Sequence, residues 1–433
     1  MRLTTTAWRR ACAIGAAALL LAACAGTGTR EIPDRAFTMA VLPDTQNYMD
    51  YTHQQAEGFP FDASEQFMAQ MRYIAANVES AGGDIAFVSS LGDVWQHQSL
   101  AMDPEHERRG FRRVPNPIMD SHLGPTDKVH SVEMPLARAG FGMIDGKVPF
   151  SVVPGNHDYD AMWTDAKFPP AAKFDPRDMS GLGTLPPGGL NNFRAVFGAE
   201  QPLFKGKPWY VDSHDGGADS AQVFEAAGYR FLHIGLQFDA PDASLDWAAA
   251  VMRRYPGLPT IISTHDYMSK EGERVANQMI DGHRVDPIHN TPEMVWDKLI
   301  RRHDQVFLVL CGHQHGQAMR VDQNDAGHQV YQVLADYQDR GQTAIDAGVK
   351  AAYPVGTGDG WMRLMRFDFG GDVATMEVRT YSTHYERHSG ELPTYAQWYK
   401  AHEQPQLDDA AYLAMDDFRV ELADFRQRFG DPR

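Results

Sequence analysis

Apolar runs of strand length alternate along this chain with segments of helical period, and that alternation constrains the fold more than any other feature. The first run is Phe37 to Leu42, followed by Asp84 to Ser89, Phe150 to Val153, Arg230 to Leu236, Thr260 to Ser263 and Val306 to Cys311. A helix is expected over Asp62 to Val78, where Phe67, Met71, Ile74 and Val78 share one face and Asp62 with Glu65 has capping-box spacing. Helices over Ser244 to Arg253 and Thr291 to Arg301 fit between the last three runs. This succession predicts an α/β fold with a largely parallel sheet. Val330 to Leu334, Trp361 to Phe367 and Ala374 to Tyr381 add strands that need not be parallel.

Five of the runs end in residues of metal-binding type. They are Asp44-Thr45-Gln46, Gly92-Asp93, Gly155-Asn156-His157-Asp158, Thr264-His265-Asp266 and Gly312-His313-Gln314-His315. Ligand sites in open α/β sheets form just beyond the carboxyl ends of strands, so the coincidence places one polar cluster there. Gly92, Gly155 and Gly312 suit tight turns that deliver the following residues. The chain has 18 histidines, and position singles out His157, His265, His313 and His315 from those that serve surface or core. His97, four residues after Asp93, faces either the same cleft or the core. Asp266 reads as structural, and Cys311 as a small buried hydrophobe.

In order, and from about Phe37 to Tyr381, these motifs resemble those of the calcineurin-like metallophosphoesterase family. The resemblance implies a sandwich of two mixed sheets flanked by helices, and a hydrolase acting on a phosphate-ester substrate. It implies two divalent metal ions, with Mn, Fe or Zn as the candidates. Asp44, Gln46, Asp93 and His315 would surround one ion and Asp93, Asn156, His265 and His313 the other, so that Asp93 bridges them. A hydroxide held between the ions is then the nucleophile. His157 becomes a catalytic residue beside the phosphate, and Asp158 either orients its ring or caps the local helix. Since only Asp44 and Asp93 among these ligands are anionic, two divalent ions leave positive charge to attract hydroxide and phosphate. One motif departs from the family: Gln46 stands where histidine is usual, and its carbonyl is a harder, weaker donor. The ligand set does not separate this reading from a phosphodiesterase-specific enzyme. A non-catalytic metal-containing envelope lipoprotein is the alternative from another class.

A formal charge of −17 argues against nucleic-acid binding, which needs clustered Lys and Arg. At the N-terminus, Arg2, Arg9 and Arg10 precede an apolar run from Ala11 to Ala23 that is too short to span a membrane in the mature protein. Leu21-Ala22-Ala23-Cys24 resembles the lipobox of bacterial lipoproteins. That resemblance implies a signal peptide over 1–23, lipidation of Cys24, a tether over 24–36 and a lipid-anchored place in the bacterial cell envelope, at the outer membrane or periplasmic face. An ordinary secretory signal with a chance Cys24 is the plainer reading. With Cys12 removed and Cys24 lipidated, Cys311 has no disulfide partner.

The hydrolase domain is expected over 37–383, interrupted near 96–131 and 159–208 by insertions without clear periodicity. Loops of that length are usually functional or family-specific. In the C-terminal extension, 384–433, Met415, Phe418, Leu422, Phe425 and Phe429 alternate spacings of three and four, which predicts an amphipathic helix stopped by Gly430.

Overall fold

The computed structural model describes residues 35–175, 179–350 and 356–433. The expected signal segment over 1–23, Cys24 and nearly all of the expected tether lie outside them. Among the described residues no helix is long and apolar enough to cross a membrane.

The Ala36–Leu42 strand shows how the sequence builds the core, because successive side chains point to opposite faces. Phe37, Met39 and Val41 pack against Phe87, Phe224, Phe231, Phe307 and Phe367 between two sheets. Ala40 and Leu42 face the other way, packing with Phe67, Met71 and Ile74 of helix Ser64–Asn77 and Phe141 of helix Met134–Gly142. The second sheet is covered likewise: Leu232, Ile234, Ile262 and Val309 meet Leu245, Ala248, Val251 and Met252 of helix Asp242–Arg254. Strands buried on both faces read as unbroken apolar runs. Each large side chain enclosed in this way contributes about 1.5–3 kcal/mol.

The result is a mixed α/β sandwich of two seven-stranded sheets. In the first, Ala36–Leu42, Ile85–Ser90 and Phe150–Val152 run parallel, and Trp361–Asp368 joins Ala36–Leu42 antiparallel. In the second, Tyr229–Gly235, Thr260–Ser263, Val306–Cys311 and Gln329–Asp336 run parallel. Gly316–Gln323 and Asp219–Ala226 extend that sheet antiparallel on its two sides.

Two local expectations need correction. Helix Ser64–Asn77 has no capping box: Ala63 is its N-cap, and the Asp62 carboxylate instead accepts from Gln55 N at 2.6 Å. The expected C-terminal helix is mostly a strand, Asp417–Leu422, which pairs antiparallel with Ala374–Ser382 from Leu422↔Ala374 to Asp417↔Arg379. Phe418, Val420 and Leu422 also satisfy a period of two, and an open sheet edge offers a full ladder of backbone partners that an isolated helix lacks. Only Phe425–Phe429 is helical, and Gly430 ends it at φ 76°. The two insertions form short elements that meet through the Leu100↔Ala161 and Arg113↔Asp165 bridges.

A polar seam crosses the sandwich. Ser89 Oγ and Ser263 Oγ are 2.8 Å apart, His233 Nε2 lies 2.8 Å from Ser263 Oγ, and His233 Nδ1 lies 2.9 Å from Gln222 Oε1. Burial holds the His233 pKa down at about 3, so the folded state keeps the ring neutral while an unfolded histidine titrates near 6.5. The unfolded chain therefore binds the extra proton between these values, and stability is lost as pH falls from about 6.5 towards 3, at up to about 1.4 kcal/mol per pH unit. Denaturant unfolding across that range is expected to show a pH slope shallower by about one proton in His233→Gln than in the parent. Equal slopes would show that His233 is not held neutral.

Candidate metal centre

All five motif-bearing strands deliver their polar ends to one edge of the sandwich. Asp93 and His313 adopt left-handed backbone, with φ of 48° and 67°. Non-glycine residues rarely adopt it, and such strain gathers where the surrounding structure over-determines a functional geometry. Gly92 serves a turn at φ 98°, but Gly155 and Gly312 are required for a different reason. A Cβ on Gly155 would lie 2.2 Å from Asp93 Oδ1, and one on Gly312 would lie 2.2 Å from Asp44 Oδ1. Here glycine permits close approach rather than an unusual φ.

The tightest grouping is Asp93, Asn156, His265 and His313. His265 Nε2 lies 3.2 Å from Asp93 Oδ2, 3.1 Å from Asn156 Oδ1 and 3.2 Å from His313 Nδ1. Its Nδ1 lies 2.7 Å from the Leu91 carbonyl oxygen. That oxygen only accepts, so the proton sits on Nδ1 and the Nε2 lone pair faces three atoms that are themselves acceptors or potential acceptors. His313 Nε2 is buried without a hydrogen-bond partner. Donor sets like this suit a cation. The electrostatics agree: burial opposes charge on His265, yet Asp93 and Asp44 raise its pKa well above the usual histidine range. Burial would also raise the Asp93 carboxyl, but His265, His157 and His313 outweigh it and hold that group below the ordinary carboxylate range. The cluster demands positive charge, and a metal replacing a proton meets that demand. Asp93, His265 and His313 are one of the groups able to hold an ion.

The other half is rich in oxygen. Asp44 accepts from His313 N at 3.1 Å and lies 4.0 Å from His265 Nε2, while Gln46 Nε2 donates to Asp93 Oδ2 at 3.4 Å. His315 reaches Gln46 only through Gln338, whose side chain hydrogen-bonds both. His315 Nδ1 lies 2.5 Å from Asp339 Oδ2, and although partial desolvation opposes it, Asp339 and Asp336 push this half-exposed histidine up to about 10. Asp336 is buried, with one carboxylate oxygen unpartnered and 3.9 Å from His315 Nε2. Burial raises Asp336 to about 6. Asp336, Gln338 and Asp339 were not among the expected site residues. Asp336 ends the seventh parallel strand, Gln329–Asp336, and Gln338 and Asp339 follow it, so the strand-end rule that places the other five clusters applies equally here.

His157 stands beside the cluster. Its N donates to Asp93 Oδ1 at 2.8 Å, its Nδ1 is fixed 2.7 Å from Gln96 O, and its Nε2 lies 3.9 Å from Asp93 Oδ2. Asp158 does not orient that ring: its carboxylate accepts from Gly155 N and Val94 N at 2.8 and 2.9 Å, bracing the turn. Burial and the Asp93 charge push Asp158 up to about 8. His97 turns away into a buried pair with Glu133 at 2.6 Å. Asp266 accepts from Asn277 N and Gln314 Nε2, both at 2.8 Å, which is a structural role. Cys311 is buried and free.

No family model matches the chain. Among curated proteins it is similar to the uncharacterized protein YvnB of Bacillus subtilis (strain 168), 24% identical over 201 residues. That match covers 45% of this chain and spans 13% of the relative's length.

Gln338 links the two side chains expected to share an ion, and removing such an orienting partner typically weakens metal binding by about 10- to 100-fold. Gln338→Ala is expected to show a loss of this size for one class of bound ion in chelator competition. Unchanged affinity for every bound ion would contradict a role at the centre.

Proposed function

We propose that the chain is a metal-dependent hydrolase of phosphate esters, of the calcineurin-like metallophosphoesterase kind. The observation that carries this reading is the convergence of Asp93, Asn156, His265 and His313 at the strand ends of a two-sheet sandwich, with His157 alongside. Motif order and the runs of parallel strands, three in the first sheet and four in the second, support the same assignment. Two divalent ions, with Mn, Fe or Zn as candidates, supply Lewis acidity and a water acidified towards neutrality when bound.

The chain's own residues divide the remaining work. Asn156, His265 and His313, with Asp93 shared, form the nitrogen-rich half of the metal cradle; Asp44, Gln46 and His315, supported by Asp336 and Gln338, form the oxygen-rich half. Hard oxygen donors favour Mg, Ca or Mn and imidazole favours Zn or Fe, so the two halves are suited to different ions. Among the described residues no lysine or arginine hydrogen-bonds to these side chains. The positive charge that a phosphate needs therefore comes from the ions and from histidine. The side chain of His157 is partly exposed, and its Nδ1–H is spent on the Gln96 carbonyl. Nε2 is left to meet a phosphoryl oxygen, or to hand a proton to the leaving oxygen when the ring is protonated. If Cys24 carries lipid, this activity sits at the surface of the cell envelope.

The experiment that tests the reading separates chemistry from metal binding. His157→Ala is expected to retain its metal content yet lose about 10²- to 10⁴-fold in turnover of an alkyl phosphate ester, the usual contribution of one positioned acid-base group. The loss should shrink for a substrate whose leaving group needs no proton. Wild-type turnover of the alkyl ester at saturating metal would remove His157 from the mechanism, and no turnover of any mono- or diester by the metal-loaded parent would remove the hydrolase reading.

A further inference from the structure

The two insertions and the loop after His265 meet at a second set of metal-binding side chains. His106 lies in helix Pro104–Arg108 of the first insertion, whereas Asp286 and His289 lie in the loop, which also contains helix Gly282–Val285. These three residues present ligand atoms within 4.8 Å of one another.

Their hydrogen bonds fix which atoms are free. His106 Nδ1 lies 2.8 Å from Asp103 Oδ2, and His289 Nδ1 lies 2.9 Å from Asp239 O. A carboxylate and a carbonyl both accept, so each Nδ1 carries the proton and each Nε2 keeps its lone pair. His106 Nε2 lies 3.5 Å from Asp286 Oδ2. Ligand atoms about 2.0–2.1 Å from a tetrahedral ion stand roughly 3.3 Å apart, so the separation suits one shared ion. The Asp103–His106 pair is the arrangement that orients imidazoles on zinc. Arg109 reaches both oxygens of Asp286, at 2.6 and 2.8 Å, which aligns the carboxylate yet leaves lone pairs on it.

The packing presses on the same point. A Cβ on Gly188 would lie 1.9 Å from Asp103 Oδ2 and 2.9 Å from His106 Nδ1, so only a glycine lets the second insertion cover the pair. The His106 ring is also packed by Trp163 of that insertion, with centroids 4.8 Å apart.

We propose that His106, Asp286 and His289 form a further metal site for a zinc-class ion, completed by water. Two neutral imidazoles and one carboxylate suit such an ion, and the site would staple the first insertion to the segment that follows His265. It does not depend on the phosphoesterase reading.

The test counts zinc in chelator-stripped protein re-equilibrated with Zn²⁺ alone, for the parent, His106→Ala and His289→Gln. Any ion held around Asp93 enters all three alike, so the difference reads this site by itself. Each variant is expected to hold about one zinc per chain fewer than the parent. Zinc should also raise the thermal midpoint less in the variants. His289→Gln preserves bulk and polarity in case the alanine variant does not fold, and the near-ultraviolet circular dichroism of the zinc-free forms verifies folding. His265→Ala should keep the ion. Equal zinc content in the parent and either folded variant overturns the proposal and leaves Asp286 neutralised by Arg109 alone.

Discussion

A buried carboxylate in need of positive charge organises this protein. Asp93 is almost wholly enclosed and strained at φ 48°, yet its oxygens meet His157 N, Gln46 and His265, and its carbonyl accepts from Thr45 N at 3.0 Å. Burying an ionised group without compensation costs several kcal/mol. Both sheets therefore contribute to one neutralising cluster, and the helices, turns and glycines around it hold that cluster to a single geometry. Gly155 approaches so closely that a Cβ there would collide with Asp93 itself.

The C-terminal extension belongs to the same scheme. Arg340, two residues after Gln338, is fully buried and donates to Glu403 at 2.7 and 2.8 Å and to Asp416 at 3.0 Å. Arg363 donates to the other oxygen of Asp416 at 2.9 Å, and Tyr395 OH donates to Asp416 at 2.6 Å. Breaking one member of a buried network of this kind leaves an unpaired charge behind. The extension thereby fixes the loop that carries Gln338 and Asp339 against His315, and its Asp417–Leu422 strand ties it to the first sheet.

Much of this was legible in the sequence because the parallel strands are buried on both faces: Thr260–Ser263 and Val306–Cys311 have the bounds that their apolar runs suggest. Asp93, Asn156, His265 and His313 were legible because each follows such a run. Asp336 and Gln338 were not legible because no histidine or asparagine marks the turn after Gln329–Asp336, although that strand is parallel to its neighbour and ends at the same edge. The C-terminal strand escaped for another reason. Phe418 and Leu422 fit periods of both two and 3.6, and only the partner edge of Ala374–Ser382 decides between them. His97 illustrates the limit of proximity in sequence: four residues from Asp93, it faces Glu133 instead.

The central claim is that Asp93 bridges two divalent ions, one in each half of the cluster. Crystals of the protein loaded with Mn²⁺, examined by anomalous scattering, test it directly. The account predicts two peaks about 3.5–4 Å apart, both within bonding distance of Asp93, one beside His265 and His313 and the other beside Asp44 and Gln46. A single peak, or two peaks that do not share Asp93, would contradict it.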